Sequence, residues 1–260
     1  MAKPNALILR SPGTNCDEET AYAFEMAGAN AESIHINQLL ADPAIIKKFQ
    51  IVCVPGGFSF GDDISGGKVL ALQLQHNLSE SLGEFHGNGN LILGICNGFQ
   101  VLLKSGLLIS NEVEGPAATL TWNDSGRYRD SWVHLTIDTS RCVFLNDIDQ
   151  IELPIAHAEG KFVARNNQLL DYLEVNHQLA IRYCKPSGPN GKVPFPGNPN
   201  GSVRDVAGIC DDTGRVFGLM PHPERFAHAT NHPNWTRGVG SATSQVTGLK
   251  IFENAVSFFA

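Results

Sequence analysis

The chain has 260 residues, 42% of them hydrophobic and 17% charged, and a formal net charge of −7. That composition belongs to an ordinary globular protein able to bury a core without staples, and the acidic balance argues against a nucleic-acid polyanion as the main partner. No run of about 18 apolar residues marks a membrane-spanning helix, and the apolar part of "MAKPNALILRSPGTN" is too short for a secretory signal.

A short apolar strand, "NALILR", opens the pattern. A Pro-Gly turn follows, and then a helix that Gly28 closes. "AESIHI" reads as a second strand, "QLLADPAIIKKF" as helix, and "QIVCVP" as a buried strand running into the glycine-rich "GGFSFGDD". The pattern continues with a helix from about 67 to 86, the strand "NLILGI" and a helix from about 97 to 106. Strands alternating with helices predict a parallel sheet covered on both faces, with chemistry at the carboxyl ends of its strands.

After residue 108 the pattern turns β-rich, through "TLTWNDSGRYRDSWVHLTID", "QIELPIAHAEGKFVA", "LAIRYC" and "VAGICDDTGRVFGLMPH". The stretch 185–203, "KPSGPNGKVPFPGNPNGS" and its neighbour, contains five prolines and reads as a long loop. "TGLKIFENAVSFFA" closes the chain as an amphipathic helix. The expectation is one α/β domain over 1–260, a mostly parallel central sheet with an antiparallel elaboration in its second half. Six cysteines at 16, 53, 96, 142, 184 and 210 form no CxxC pair and stand at no zinc-ligand spacing from a histidine. They predict a reduced, cytoplasmic protein without a structural metal.

"NLILGICNGFQVLL" interrupts two apolar runs with a thiol, an amide and a glycine. "GICNG" at a strand-to-helix junction has the physics of a nucleophile elbow. The sharp turn projects Cys96 above the sheet, and Gly94 and Gly98 let strand and helix approach. The backbone N–H of Asn97 is aimed where an oxyanion forms, and the helix N-terminus favours the thiolate over the thiol. Taken alone, a GxCxG is as often a core cysteine beside a chance glycine.

A thiol nucleophile acting on an amide needs a proton shuttle. Of nine histidines, His76 and His86 lie on or beside a polar helix face, and His35, His134 and His177 flank strands. His222 differs: "VFGLMPHPER" runs a buried strand into Pro-His-Pro-Glu. The prolines fix the backbone around the ring, and Glu224 is spaced to orient it. In "VPGGFSFGDD", Gly56 and Gly57 bring backbone N–H groups to a strand end, where with Asn97 they can form an oxyanion hole. A phosphate loop is the weaker reading, since neither GxxxxGK[ST] nor GxGxxG occurs.

Together, Cys96 on its elbow, the upstream Pro-Gly-Gly loop and the late Pro-His-Pro-Glu resemble the triad-type (class I) glutamine amidotransferases. The order of "VPGGFSFGDD", "GICNGFQVL", "PIAHAEGKF", "NPNGS", "VAGICD" and "GRVFGLMPHPER" resembles, within that family, the glutaminase components that serve purine biosynthesis. The match runs from about residue 5 to 226. The resemblance implies a flavodoxin-like three-layer sandwich. It implies that Cys96 attacks the side-chain amide of L-glutamine to form a glutamyl thioester, with His222 as proton shuttle and Glu224 holding its ring. Gly57 and Asn97 would supply the oxyanion hole, and Gln100 and the His157–Phe162 segment would hold glutamine.

The same resemblance implies a partner. Ammonia passes to a large synthetase subunit that uses ATP and Mg2+ to aminate formylglycinamide ribonucleotide, and a small third subunit bridges the two in multi-subunit forms. This chain would need no cofactor and no metal of its own. The tail 227–250 looks more like the end of fused, single-chain enzymes, and "GRYRDSWV" resembles the family's Arg-aromatic segment, from which Arg127, Tyr128 and Arg129 are expected to face the partner. Two competing readings stand beside this one: another cysteine-elbow hydrolase of the same fold, and a catalytically silent assembly subunit.

Overall fold

Strands β1 (Asn5–Arg10), β2 (Asn30–His35), β3 (Ile51–Val54) and β4 (Leu91–Ile95) build the first half of a nine-stranded sheet. β3 and β4 are buried at every position and β1 at its four central ones, as strands covered on both faces must be. β2 is mostly exposed because it is the edge. The computed structural model describes residues 3–110, 115–138, 141–188, 191, 193–237 and 246–260.

The connecting helices are α1 (Asp17–Ala27), α2 (Ile36–Ala41), α3 (Lys68–Gln73), α4 (Ser79–Gly87) and α5 (Asn97–Ser105). Gly28 ends α1 in a left-handed conformation, φ 103°, as its position predicted. The helix expected through "QLLADPAIIKKF" breaks at Asp42. Its side chain accepts from Ala44 N–H, and Pro43 starts a separate 3-10 turn, Pro43–Lys48. The helix expected over 67–86 is α3 and α4 joined by a π-turn, Leu74–Leu78.

The second half comprises β5 (Ala118–Thr121), β6 (Arg129–Ile137), β7 (Gln150–His157), β8 (Lys161–Ala164), α6 (Asn167–Val175), β9 (Ile181–Cys184), β10 (Val206–Cys210), β11 (Val216–Leu219) and α7 (Leu249–Ser257). Helix α6 has no counterpart among the predicted elements. Its signal is short: Asn166, which caps Leu169 N–H at 2.9 Å, ahead of three leucines.

The sheet order is β2-β1-β3-β4-β11-β10-β9-β6-β7, and β5 pairs with β8 in a separate ribbon. The first five strands are parallel, in the order of flavodoxin-like sheets, and the last four are antiparallel. The fold is therefore the mixed α/β sandwich that the sequence predicted. β11 matters most for function. It returns beside β4 with Leu219 opposite Ile95, so the residues that follow both strands emerge at one end of the sheet. α1 packs on α7, and α3 packs on α5.

Within 185–203, residues 189, 190 and 192 lie outside the described residues, and the contacts come from its last part. Asn200 Nδ2 donates to Gly160 O at 2.9 Å, and Ser202 Oγ accepts from Phe162 N–H at 3.0 Å, so "NPNGS" buttresses the turn after β7. His232 of the tail packs edge-on against Trp132 of β6, which meets Phe226 in the same way. The part of the 227–250 tail at 238–245 lies outside the described residues.

Candidate active site

Cys96 sits between β4 and α5 with φ 53° and ψ −104°, a backbone region that L-residues avoid. Two constraints hold it there. Its N–H donates to Leu219 O at 2.8 Å, tying the elbow to β11. On the other side the helix presses against β3 so closely that a Cβ on Gly98 would overlap Val54 O. Only glycine fits, which explains the residue two places after the thiol.

His222 follows β11 and is buried with Glu224. Its Nδ1 lies 2.6 Å from Glu224 Oε1, a short charge-assisted pair. Burial opposes charge on the ring. The Glu224 carboxylate and the thiols of Cys96 and Cys16 outweigh it and hold the imidazole well above its ordinary pKa. Nε2 is buried and makes no hydrogen bond in this resting arrangement. The ring thus has one nitrogen anchored and the other available for proton transfer.

The expected oxyanion donors border the same space. Gly57, φ 145°, faces Thr14 in an isolated bridge formed by its neighbours' groups. Phe58 N–H donates to Gly13 O and Asn15 N–H to Gly56 O, so Gly57's own N–H takes no part. Asn97 is buried at the start of α5, where helix geometry leaves backbone N–H groups without an intrahelical acceptor. Its side chain accepts from Ser59 N–H at 3.1 Å and donates to Asp62 Oδ1 and Gln100 Oε1, each at 2.8 Å.

A cavity of about 270 Å³ opens beside the thiol, lined among others by Gly57, Asp62, Cys96, Gln100, Trp122 and Glu159. Gln100 Nε2 donates to Glu159 O at 2.7 Å, so this residue bridges α5 to the turn after β7. His157 also lines the cavity. Its Nδ1 meets Asn123 Oδ1 at 3.1 Å, and burial first, then the charge on His222, pulls its pKa down to about 3. His157 is therefore neutral near pH 7. The structure brings together Cys96, His222, Glu224, Gly57, Asn97, Gln100 and His157 at one end of the sheet. Tyr128 is exposed, and the Arg129 guanidinium lies 4.8 Å above the Phe195 ring.

Sequence reasoning missed three participants. Cys16 lies beside His222, within reach of the ring through the space left by Gly56. Asp62 and Trp122 form cavity wall. The "GDD" beside Pro-Gly-Gly was a signal for Asp62, whereas nothing local in "TNCDE" points to a histidine some two hundred residues away. Cys16, His222 and Glu224 offer metal-ligating atoms within 4.8 Å of one another. The Arg225 guanidinium donates to Cys16 Sγ at 3.1 Å, and Glu224 already holds His222, which disfavours a cation there. All six cysteines are free and buried.

Among the described residues no helix is long and apolar enough to cross a membrane. Residues 3–259 match the CobB/CobQ-like glutamine amidotransferase domain family. The chain is 47% identical to a phosphoribosylformylglycinamidine synthase subunit PurQ of Dehalococcoides mccartyi, covering 99% of this chain and 98% of that one. It is 40% identical to the PurQ subunit of Methanococcus maripaludis, covering 98% and 97%. Among solved structures, a chain of PurLQS from Thermotoga maritima superposes with TM-score 0.74 and 29% identity over all of both chains.

Proposed function

The chain belongs to the glutamine amidotransferase family, and from that premise we propose that Cys96, His222 and Glu224 carry out its glutaminase chemistry. The protein is the glutaminase subunit of a phosphoribosylformylglycinamidine synthase, acting in purine biosynthesis. The observation that supports the catalytic assignment is the convergence of β4 and β11. Leu219 lies opposite Ile95, so the strained thiol elbow that lines the cavity and the carboxylate-anchored imidazole follow neighbouring strands, and the Cys96 thiol acts on the His222 ring.

Each step follows from a named atom. His222 Nε2 holds the proton drawn from Cys96 while the thiolate Sγ attacks the amide carbon of glutamine, and the N–H groups of Gly57 and Asn97 stabilise the oxyanion. As the tetrahedral intermediate collapses, the imidazolium gives its proton to the departing amine and ammonia leaves. The glutamyl thioester remains on Cys96. His222 then deprotonates a water that attacks the thioester and releases glutamate. Glu224 keeps the ring oriented and stabilises its charged form at both stages. Gln100 and His157 contact the glutamine side of the cavity.

We read residues 1–260 as one amidotransferase domain, supported by a central sheet that draws strands from both halves of the chain and by a continuous core. Relatives named as synthase subunits, and the likeness to a PurLQS chain, support a synthetase partner that receives the ammonia. In this reading that partner binds ATP and Mg2+ and the nucleotide, a small third subunit completes the complex, and the assembly works in the cytoplasm. Glutamate release by the purified chain, with and without its synthetase, tests the proposal. Release should rise on complex formation, and Cys96→Ala should lower it by roughly 10⁴-fold or more. Turnover unaffected by that substitution refutes the mechanism, and no turnover even in the complex refutes the glutaminase role.

A further inference from the structure

A free amino acid brings an ammonium and a carboxylate to its site, and the cavity beside Cys96 is built for one of them. Two charged side chains line it, Asp62 and Glu159, and both are acidic. The cation that interacts with both, Lys104, is buried and holds its ammonium on Gly66 O. Two carboxylates against one ammonium leave the formal charge one cation short. The same cavity wall includes the buried imidazole of His157, whose Nε2 has no partner. Asn123 Oδ1 accepts from Gly160 N–H at 3.1 Å, which fixes the amide and makes His157 Nδ1 the protonated nitrogen facing it. Nε2 is then a bare acceptor, left for a donor that the protein does not supply.

The two carboxylates are not equivalent. Glu159 is tied into the wall, with Oε2 accepting from Gly66 N–H at 3.0 Å and its main-chain carbonyl accepting from Gln100. Both hydrogen bonds to Asp62 fall on Oδ1, from Gly67 N–H at 3.1 Å and Asn97 Nδ2 at 2.8 Å. That leaves Oδ2 open. Burial raises the Asp62 pKa, and the Glu159 charge adds to the rise, so a cationic ligand would relieve a carboxylate that is short of positive charge.

Resting on the glutaminase reading, we infer that Asp62 anchors the α-ammonium group of the substrate amino acid and is a specificity-determining residue. Asn97 makes this anchor part of the reacting centre. The amide next to the nucleophile grips Asp62 and Gln100 at once, so the distance from ammonium site to thiol is set through a single side chain. A substrate held by its ammonium would present its side-chain amide to Cys96 at a defined depth.

The test compares L-glutamine with its deaminated analogue, glutaramic acid, which keeps the amide and the carboxylate. Ammonia release is measured for the full-length chain and for Asp62→Asn, Asp62→Glu and Glu159→Gln. The wild type should prefer glutamine in kcat/KM by roughly 10- to 100-fold, the range of a charge-assisted hydrogen bond. Asp62→Asn should erase most of that preference, chiefly by raising KM for glutamine, so that the kcat/KM ratio of glutamine to glutaramic acid falls toward one. A merely structural role would depress both substrates alike. Asp62→Glu keeps the charge and should retain a preference, which separates recognition from folding if the asparagine variant is unstable. An unchanged preference in Asp62→Asn, or its loss in Glu159→Gln instead, overturns the inference. Wild-type chain that releases no Cys96-dependent ammonia from glutamine defeats the glutaminase reading itself, a different outcome from intact hydrolysis with unaltered selectivity.

Discussion

The two halves of the sheet place functional groups by different physics. In the parallel half, backbone does the positioning. Cys96 is held by a main-chain bond to Leu219 and by helix-to-strand contact at Gly98, with hardly a side chain involved. In the antiparallel half the wall is placed by a polar network: Asn123 holds His157 and the Gly160 turn, and Asn200 and Ser202 hold that turn from outside. The proposed nucleophile sits on the stiff half, and the cavity wall opposite it is held by side chains.

That contrast can be broken most severely at the one group bridging chemistry and position. Glu224→Gln removes the charge behind His222 while keeping an acceptor for Nδ1. It should lower kcat by roughly 10²- to 10⁴-fold, with KM for glutamine little changed. A large KM effect would mean that Glu224 shapes the cavity instead.

A pair of glycine substitutions sharpens the comparison. Gly98→Ala sets a Cβ against Val54 O, a backbone atom that cannot move alone, and should destabilise the fold by about 1–3 kcal/mol in denaturant unfolding. Gly160→Ala sets its Cβ against the His157 ring. A side chain can yield, so its stability loss should be smaller and the KM for glutamine should rise. Equal stability losses at both positions would erase the distinction between the halves.

Much of the stiff half was legible in the sequence. Apolar runs ending in "PGG" and "CNG" mark strand ends, and Pro-His-Pro-Glu after "VFGLM" marks a histidine with a partner two residues on. These signals are local. The antiparallel wall was harder because its contacts join distant segments: Asn200 reaches Gly160, and Cys16 reaches His222. His157 was found through "AHAEGKF", but its neutral state depends on burial and on the charge of the distant His222, which no spacing encodes. Asp62 was overlooked beside the glycines that drew attention to its loop.

The smallest effect expected is on stability against pH. His157 has a folded pKa of about 3 against an unfolded value near 6.5, so the folded protein keeps it neutral where the unfolded chain binds a proton. The stability it contributes is fully present above the unfolded value and is lost as pH falls toward 3. Between pH 7 and pH 5 the loss should be about 2 kcal/mol. His157→Gln should flatten that part of the profile, and an unchanged slope would place the pH dependence elsewhere.

The proposed chemistry opens glutamine at Cys96 as a thioester. The most direct test is acid quenching of the full-length chain during turnover with excess glutamine, followed by peptide mass mapping. A glutamyl adduct is expected on the peptide containing Cys96, absent from Cys96→Ala. Continued glutamate release with no adduct there, or an adduct on Cys16 instead, would contradict it.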